Sequence, residues 1–166
     1  LSNRPINGLA EAVQKRASEA ESNINELVTA SVAFTVVWTF FLTTIAFVFA
    51  EFLASFTEMD NAWIAFSTLL ATLSFFIVFQ DTVAAFGEIG RSRWYDTVRS
   101  YLTFPVQILL LFGAGLGNAA LVYGEVMATS VILVVIFVFA TPATLVRPSR
   151  GTLRSLWSYA KYSIPN

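Results

Sequence analysis

The sequence predicts an all-α integral membrane protein with four transmembrane helices paired as two hairpins. Three observations carry that expectation. Of 166 residues, 56% are hydrophobic and only 13% are charged. Residues 27–50, 62–80, 100–124 and 126–146 hold no charged side chain at all. Crossing a hydrocarbon core of about 30 Å takes roughly 20 helical residues, and each run supplies about that many. Buried helices of a soluble protein would need polar outer faces, which these runs lack. Finally, the 10 basic residues all fall before the first run, between the second and third, or after the fourth.

The elements follow in order. Residues 1–26 read as an acidic, helix-like cytoplasmic lead, with no secretory signal ahead of the first span. The first hairpin pairs a span over 27–52 with one over 62–86. The second pairs 101–123 with 126–146. Arg4, Lys15 and Arg16 precede the first span, Arg91, Arg93 and Arg99 join the hairpins, and Arg147, Arg150, Arg154 and Lys161 close the chain. The opposite loops, 51–61 and 118–126, carry Glu51, Glu58, Asp60 and Glu125. Basic loops stay cytoplasmic, so both chain ends and the middle loop are expected inside a cell (plasma) membrane. An aromatic belt agrees: Trp94, Tyr95, Tyr101, Trp157 and Tyr159 fall on the inner side, Trp63 and Tyr123 on the outer.

Polar residues within the spans are costly and therefore informative. Ser67, Ser74, Asp81 and Glu88 recur every seven residues and are expected to share one helix face. Two readings of that face stand: the wall of a polar cavity, or tight packing through small residues. Ser31, Thr35, Thr39 and Thr43 form a second ladder, whose hydroxyls are expected to bond back to their own helix. Gly113 and Gly117 have the GxxxG spacing that lets helix backbones approach. Pro105 is expected in the first turn of the third span, where proline is tolerated, and Pro142 inside the fourth, which it should kink.

Composition also excludes. With no cysteine and no histidine, the chain has neither a thiolate site nor the commonest proton shuttle and metal ligand. No nucleophile–base pair or carboxylate dyad stands at sensible spacing, so an enzyme is not expected. A net charge of −1 gives no reason to expect a nucleic-acid partner.

Three stretches carry a family resemblance. The lead "GLAEAVQKRASEAES" is similar to the cytoplasmic connection after the second helix of the polysaccharide-transporter branch of the multidrug/oligosaccharidyl-lipid/polysaccharide exporters. The stretch "VAAFGEIGRSRWYDTVRS" resembles that family's fourth helix turning through Gly-Arg into the fifth. The closing "RPSRGTLRSLWSYAKYSIPN" resembles the basic linker between its two lobes, with Ile164, Pro165 and Asn166 opening a seventh helix. The resemblance implies that this chain is helices three to six, part of the N-terminal lobe of a larger helical transporter.

It further implies a flippase that moves a lipid-linked oligosaccharide or polysaccharide precursor by alternating access. The partners so implied are membrane lipids, the lipid-linked glycan and the remaining helices of the transporter. No cofactor is implied, and coupling stays open among a sodium ion, a proton and the membrane potential. Gln80, Asp81, Glu88, Arg91 and Arg93 are the candidate substrate- or ion-binding residues. Arginine can bind phosphate bidentately, although the positive-inside rule alone accounts for these arginines as well. The alternative is a self-contained four-helix membrane scaffold or assembly subunit without transport activity. The tail adds one more expectation, an interfacial helix over 152–161 with Leu153, Leu156, Trp157 and Ala160 on its apolar face.

Overall fold

The computed structural model describes residues 24–139, 146–152 and 154. Every regular element among them is helical: α1 (Ile24–Val48), α2 (Ala50–Thr57), α3 (Ala62–Ala85), α4 (Ile89–Ile108) with a wider π-helical continuation over Leu109–Gly113, and α5 (Ala119–Phe139). The lead before residue 24, Pro142 and nearly all of the expected tail helix lie outside the described residues. Three helices, Asn25–Val48, Ala62–Ala85 and Ala119–Phe139, are long and apolar enough to cross a membrane. The α4 helix is not among them, because its first eleven residues carry Arg91, Arg93, Asp96 and Arg99.

Helix α1 is rich in valine and threonine, residues that weaken helices in water. In hydrocarbon the backbone has no solvent to bond with, so each N–H and C=O is satisfied within the helix and that preference is overridden. At Phe49 the chain bends without losing its hydrogen bonds. Phe49 N donates to Ile45 O at 3.1 Å, and Leu53 N donates to Phe49 O at 2.9 Å. The expected outer loop is therefore largely helix α2, and Glu51 sits in its first turn. Glu58 then takes a left-handed conformation (φ 57°) and ends it.

Helix α3 stops where Gly87 adopts φ 86°. Gly87 N donates to Ala84 O at 3.0 Å and Glu88 N to Val83 O at 3.3 Å, the paired bonds of a Schellman cap. Glu88 is thus drawn off the helix, and the seven-residue stripe ends within α3 at Asp81 and Ala85.

The second hairpin turns elsewhere than expected. Gly115 (φ 67°) and Gly117 (φ 54°) take left-handed conformations that favour glycine, and residues 114–118 form the turn. Gly113 and Gly117 are not a helix-packing pair, since a Cβ on either would meet nothing within 4 Å. The close approach is at Gly124, where a Cβ would sit 2.3 Å from Gln107 Cγ and 3.0 Å from Gln107 Cα. Pro105 lies deep inside α4 instead of in its first turn, and the π-helical stretch begins four residues later. Proline has no N–H for the preceding turn, which loosens the helical ladder at this point.

Helix α1 packs on α3, α3 on α4 and α5, and α4 on α5. Phe76 and Val83 of α3, Tyr95 of α4, and Ile132 and Ile136 of α5 form the core where three helices meet. Tyr95, expected in the inner aromatic belt, belongs to this core instead, whereas Trp94 and Tyr101 are exposed. Large apolar side chains such as Phe40, Phe47, Phe112 and Phe137 cover the outside, as a lipid-facing surface requires.

The two ends of the bundle differ in charge. Arg91, Arg93, Arg147 and Arg150 gather at the end where α1 starts. There Val146 N donates to Thr29 Oγ1 and Ser149 N to Glu26 Oε2, both at 3.0 Å. At the other end Asn118 Nδ2 donates to Thr57 O at 3.5 Å, beside a cavity of about 370 Å³ that Glu58 and Asp60 help line.

Candidate functional site

Between α4 and α5 the structure places an ion network that the expected topology had divided between opposite sides of the membrane. Arg99, assigned from sequence to the inner loop, lies in the middle of α4. Glu125, assigned to the outer loop, is the seventh residue of α5, about 9 Å along that helix at 1.5 Å per residue. Arg99 Nη1 donates to Glu125 Oε1, and Arg99 Nη2 donates to Asp96 Oδ1 at 3.2 Å. The guanidinium also lies over the Phe76 ring, 5.0 Å from its centroid. One cation thus ties α4 to α5 through a carboxylate and to α3 through an aromatic face. The ring contact stabilises by about 0.5–2 kcal/mol, depending on how dry the site is.

The local sequence explains part of this arrangement. Asp96 and Arg99 are three apart on one helix, so they meet on one face. Glu125 reaches Arg99 because Gly124, beside it, lets α5 lie against Gln107 of α4. Gln107 Nε2 also donates to Leu121 O at 2.9 Å, a second polar tie between the two helices. The charges are only partly buried. Side-chain exposure is 19% for Arg99, 24% for Glu125 and 43% for Asp96.

The residues proposed from sequence do not gather at one point. Gln80 is half-buried on α3, and its Nε2 donates to Ser92 O across to α4 at 3.3 Å. Asp81, the next residue, is also half-buried on α3. Glu88 is exposed beyond the helix end and accepts from Arg91 Nη1 at 2.8 Å. That hydrogen bond raises the Arg91 pKa above its ordinary value, with Coulombic help from Tyr95 and from Glu88 itself. Arg93 is exposed two residues further along the same end of α4.

The stripe of small polar residues resolves towards packing. Ser67 and Ser74 are buried, without a protein hydrogen-bond partner, and not displayed on an open wall. The first-span ladder behaves as expected at three of its four residues, Thr43 being the exception. Ser31, Thr35 and Thr39 donate to the carbonyls of Leu27, Ser31 and Thr35 at 2.8–2.9 Å.

Sequence reasoning missed Arg99, Glu125 and Asp96 as one unit. The available signal was the three glycines with Asn118 in "GAGLGN", a turn signature, against the single glycine of "YGEV". Comparison with protein-family models, with curated proteins and with solved structures gives no match.

Proposed function

We propose that this chain contributes four membrane-crossing helices to one lobe of a flippase that moves a lipid-linked oligosaccharide or polysaccharide precursor across a cell membrane. In this reading α4 and its π-helical continuation form the fourth crossing, although α4 is less apolar than the other three. The basic end of the bundle faces the cytoplasm, as the positive-inside rule requires. One observation carries the reading beyond the resemblance of the three sequence stretches. Asp96, Arg99 and Glu125 are ionisable groups, partly exposed and joined across α4 and α5, and Glu125 stands on a helix apolar enough to cross a membrane. Ionisable groups within spans are costly and commonly mark transport pathways.

The polar face then borders a central cavity completed by the other helices of the transporter. Arg91 and Arg93 stand at its cytoplasmic mouth, where an anionic phosphate linkage would enter. Gln80, Asp81 and Glu88 complete the polar path along the end of α3. No cofactor is required, and the driving force is a sodium ion, a proton or the membrane potential.

The test is transport by the complete protein reconstituted in vesicles with a defined lipid-linked oligosaccharide. Arg99→Gln and Asp81→Asn should each slow translocation while insertion and abundance hold. Translocation at the wild-type rate by both variants, or none by the wild type with any lipid-linked glycan, contradicts the flippase reading.

A further inference from the structure

We infer that the segment after the last apolar helix, residues 146–152, is a releasable strap that Glu26 of α1 clamps across the basic end of the bundle. The stretch "RPSRGT", Arg147 to Thr152, explains how it is built. Residues 150–152 make a helical turn, and Ser149 caps it: Thr152 N donates to Ser149 Oγ at 3.2 Å. In a complete capping box the third residue of the turn is a glutamate or glutamine, which reaches back to accept from the N–H of the cap. Here that residue is a threonine, which carries no carboxylate. Glu26, 123 residues earlier, takes the part instead, and Ser149 N donates to its Oε2 at 3.0 Å.

Thr152 strengthens the clamp. Its Oγ1 donates to the same Glu26 Oε2 at 2.8 Å and lies 2.8 Å from Ser149 Oγ. A hydroxyl has one proton, so with that of Thr152 spent on the carboxylate, Ser149 donates to Thr152. One carboxylate oxygen thus ends a relay of two hydroxyls and also accepts the N–H of the cap. A second attachment lies one turn further along α1. Val146 N donates to Thr29 Oγ1 at 3.0 Å, and that hydroxyl donates in turn to Asn25 O at 2.8 Å.

These fastenings are all polar. No residue of 146–152 is buried: Pro148 and Thr152 are half-buried and the rest are exposed. Hydrogen bonds at a wet surface exchange with water, and a segment with little buried apolar area opens well below the free energy of global unfolding. Opening matters because of where the strap lies. Among the described residues α1 and α5 do not pack on each other. Six residues separate the end of α5 at Phe139 from Val146. The strap therefore ties α1 to the end of α5, and its release frees α1 to part from α5 at the basic end. This holds whether or not the chain carries a glycan.

Hydrogen exchange of the purified protein in detergent, read amide by amide, tests the clamp. The amides of Val146, Ser149 and Thr152 should exchange by local opening, faster than those of Phe76 and Ile132 in the core. Glu26→Ala should speed the strap amides by at least about tenfold, as loss of charge-assisted bonds does, and leave the Phe76 and Ile132 rates unchanged. Thr152→Val leaves α1 untouched, which guards against a misfolded Glu26→Ala protein, and should speed the same amides. Strap amides as slow as those of the core overturn the release, and an unchanged rate in either variant overturns the clamp. Spin labels on cysteines at Ala33 and Phe137, exposed on α1 and α5, read the consequence. The wild type should give one narrow distance distribution, and Glu26→Ala a longer and broader one. A distribution that Glu26→Ala does not change contradicts the parting of α1 from α5.

Discussion

The two helical pairs of this bundle treat polar groups in opposite ways. In the first pair, α1 and α3, the hydroxyl ladder of α1 turns inward on its own helix. Ser31, Thr35 and Thr39 spend their donors on local carbonyls, so the interface is small and polar in composition yet self-sufficient. In the second pair, α4 and α5, polar groups reach across. Arg99 meets Glu125, and Gln107 meets the Leu121 carbonyl. A hydroxyl that bonds locally leaves its helix able to slide or rotate against the next. A charge that bonds across helices fixes register, and it exacts a desolvation cost when the partner is lost. The first pair is therefore held by packing and the second by a combination of packing and specific pairing.

The largest effect should come from breaking that pairing. Arg99→Ala leaves Glu125 and Asp96 without their cation. Removing one partner of a fully buried pair costs about 3–5 kcal/mol, and partial exposure here lowers the expectation to about 2–3 kcal/mol. Replacing both charges, Arg99→Met with Glu125→Leu, should recover most of the loss in denaturant unfolding in detergent. No recovery in the double variant would show that the pair is not the source of the effect.

Next comes the close approach of α4 and α5. Gly124→Ala drives a methyl into Gln107, backbone included, and should cost about 1–3 kcal/mol. Gly90→Ala is its control. That glycine opens α4 with nothing within 4 Å, so alanine there should stabilise by up to about 1 kcal/mol. Similar changes at the two sites would remove the distinction between a packed and an open glycine.

The same contrast governs what could be read in advance. Uncharged length set the three apolar helices, and spacing of four set the hydroxyl ladder, because both are local properties of one helix. The position of the second turn was not legible from charge. Glu125 looked like a loop residue because carboxylates avoid spans, and only its pairing with Arg99, 26 residues away, makes its placement in α5 tolerable. Glu88 looked helical by period, but the cap at Gly87 outweighed the pattern. Tyr95 looked interfacial because tyrosines often are, yet its neighbours on α3 and α5 enclose it.

Smaller effects belong to the self-sufficient groups. Thr35→Val removes a hydroxyl whose acceptor, the Ser31 carbonyl, is already engaged in the helical ladder. Stability should change by less than about 1 kcal/mol. A loss comparable to that of Arg99→Ala would mean that the first pair also relies on cross-helix bonding. Glu88→Gln should change the unfolding midpoint least of all, since both Glu88 and its partner Arg91 are exposed.

The central claim is that Glu125 lies at span depth within α5, beyond a turn at residues 114–118. Single cysteines introduced into this cysteine-free chain test it without touching the ion network. Leu116 and Asn118 are exposed in the turn, whereas Leu121 and Met127 are exposed on α5 on either side of Glu125. A membrane-impermeant maleimide applied to the protein in vesicles should label Leu116→Cys and Asn118→Cys and leave Leu121→Cys and Met127→Cys unmodified. Rapid labelling of Met127→Cys at the rate of Asn118→Cys would return Glu125 to an aqueous loop and contradict the account.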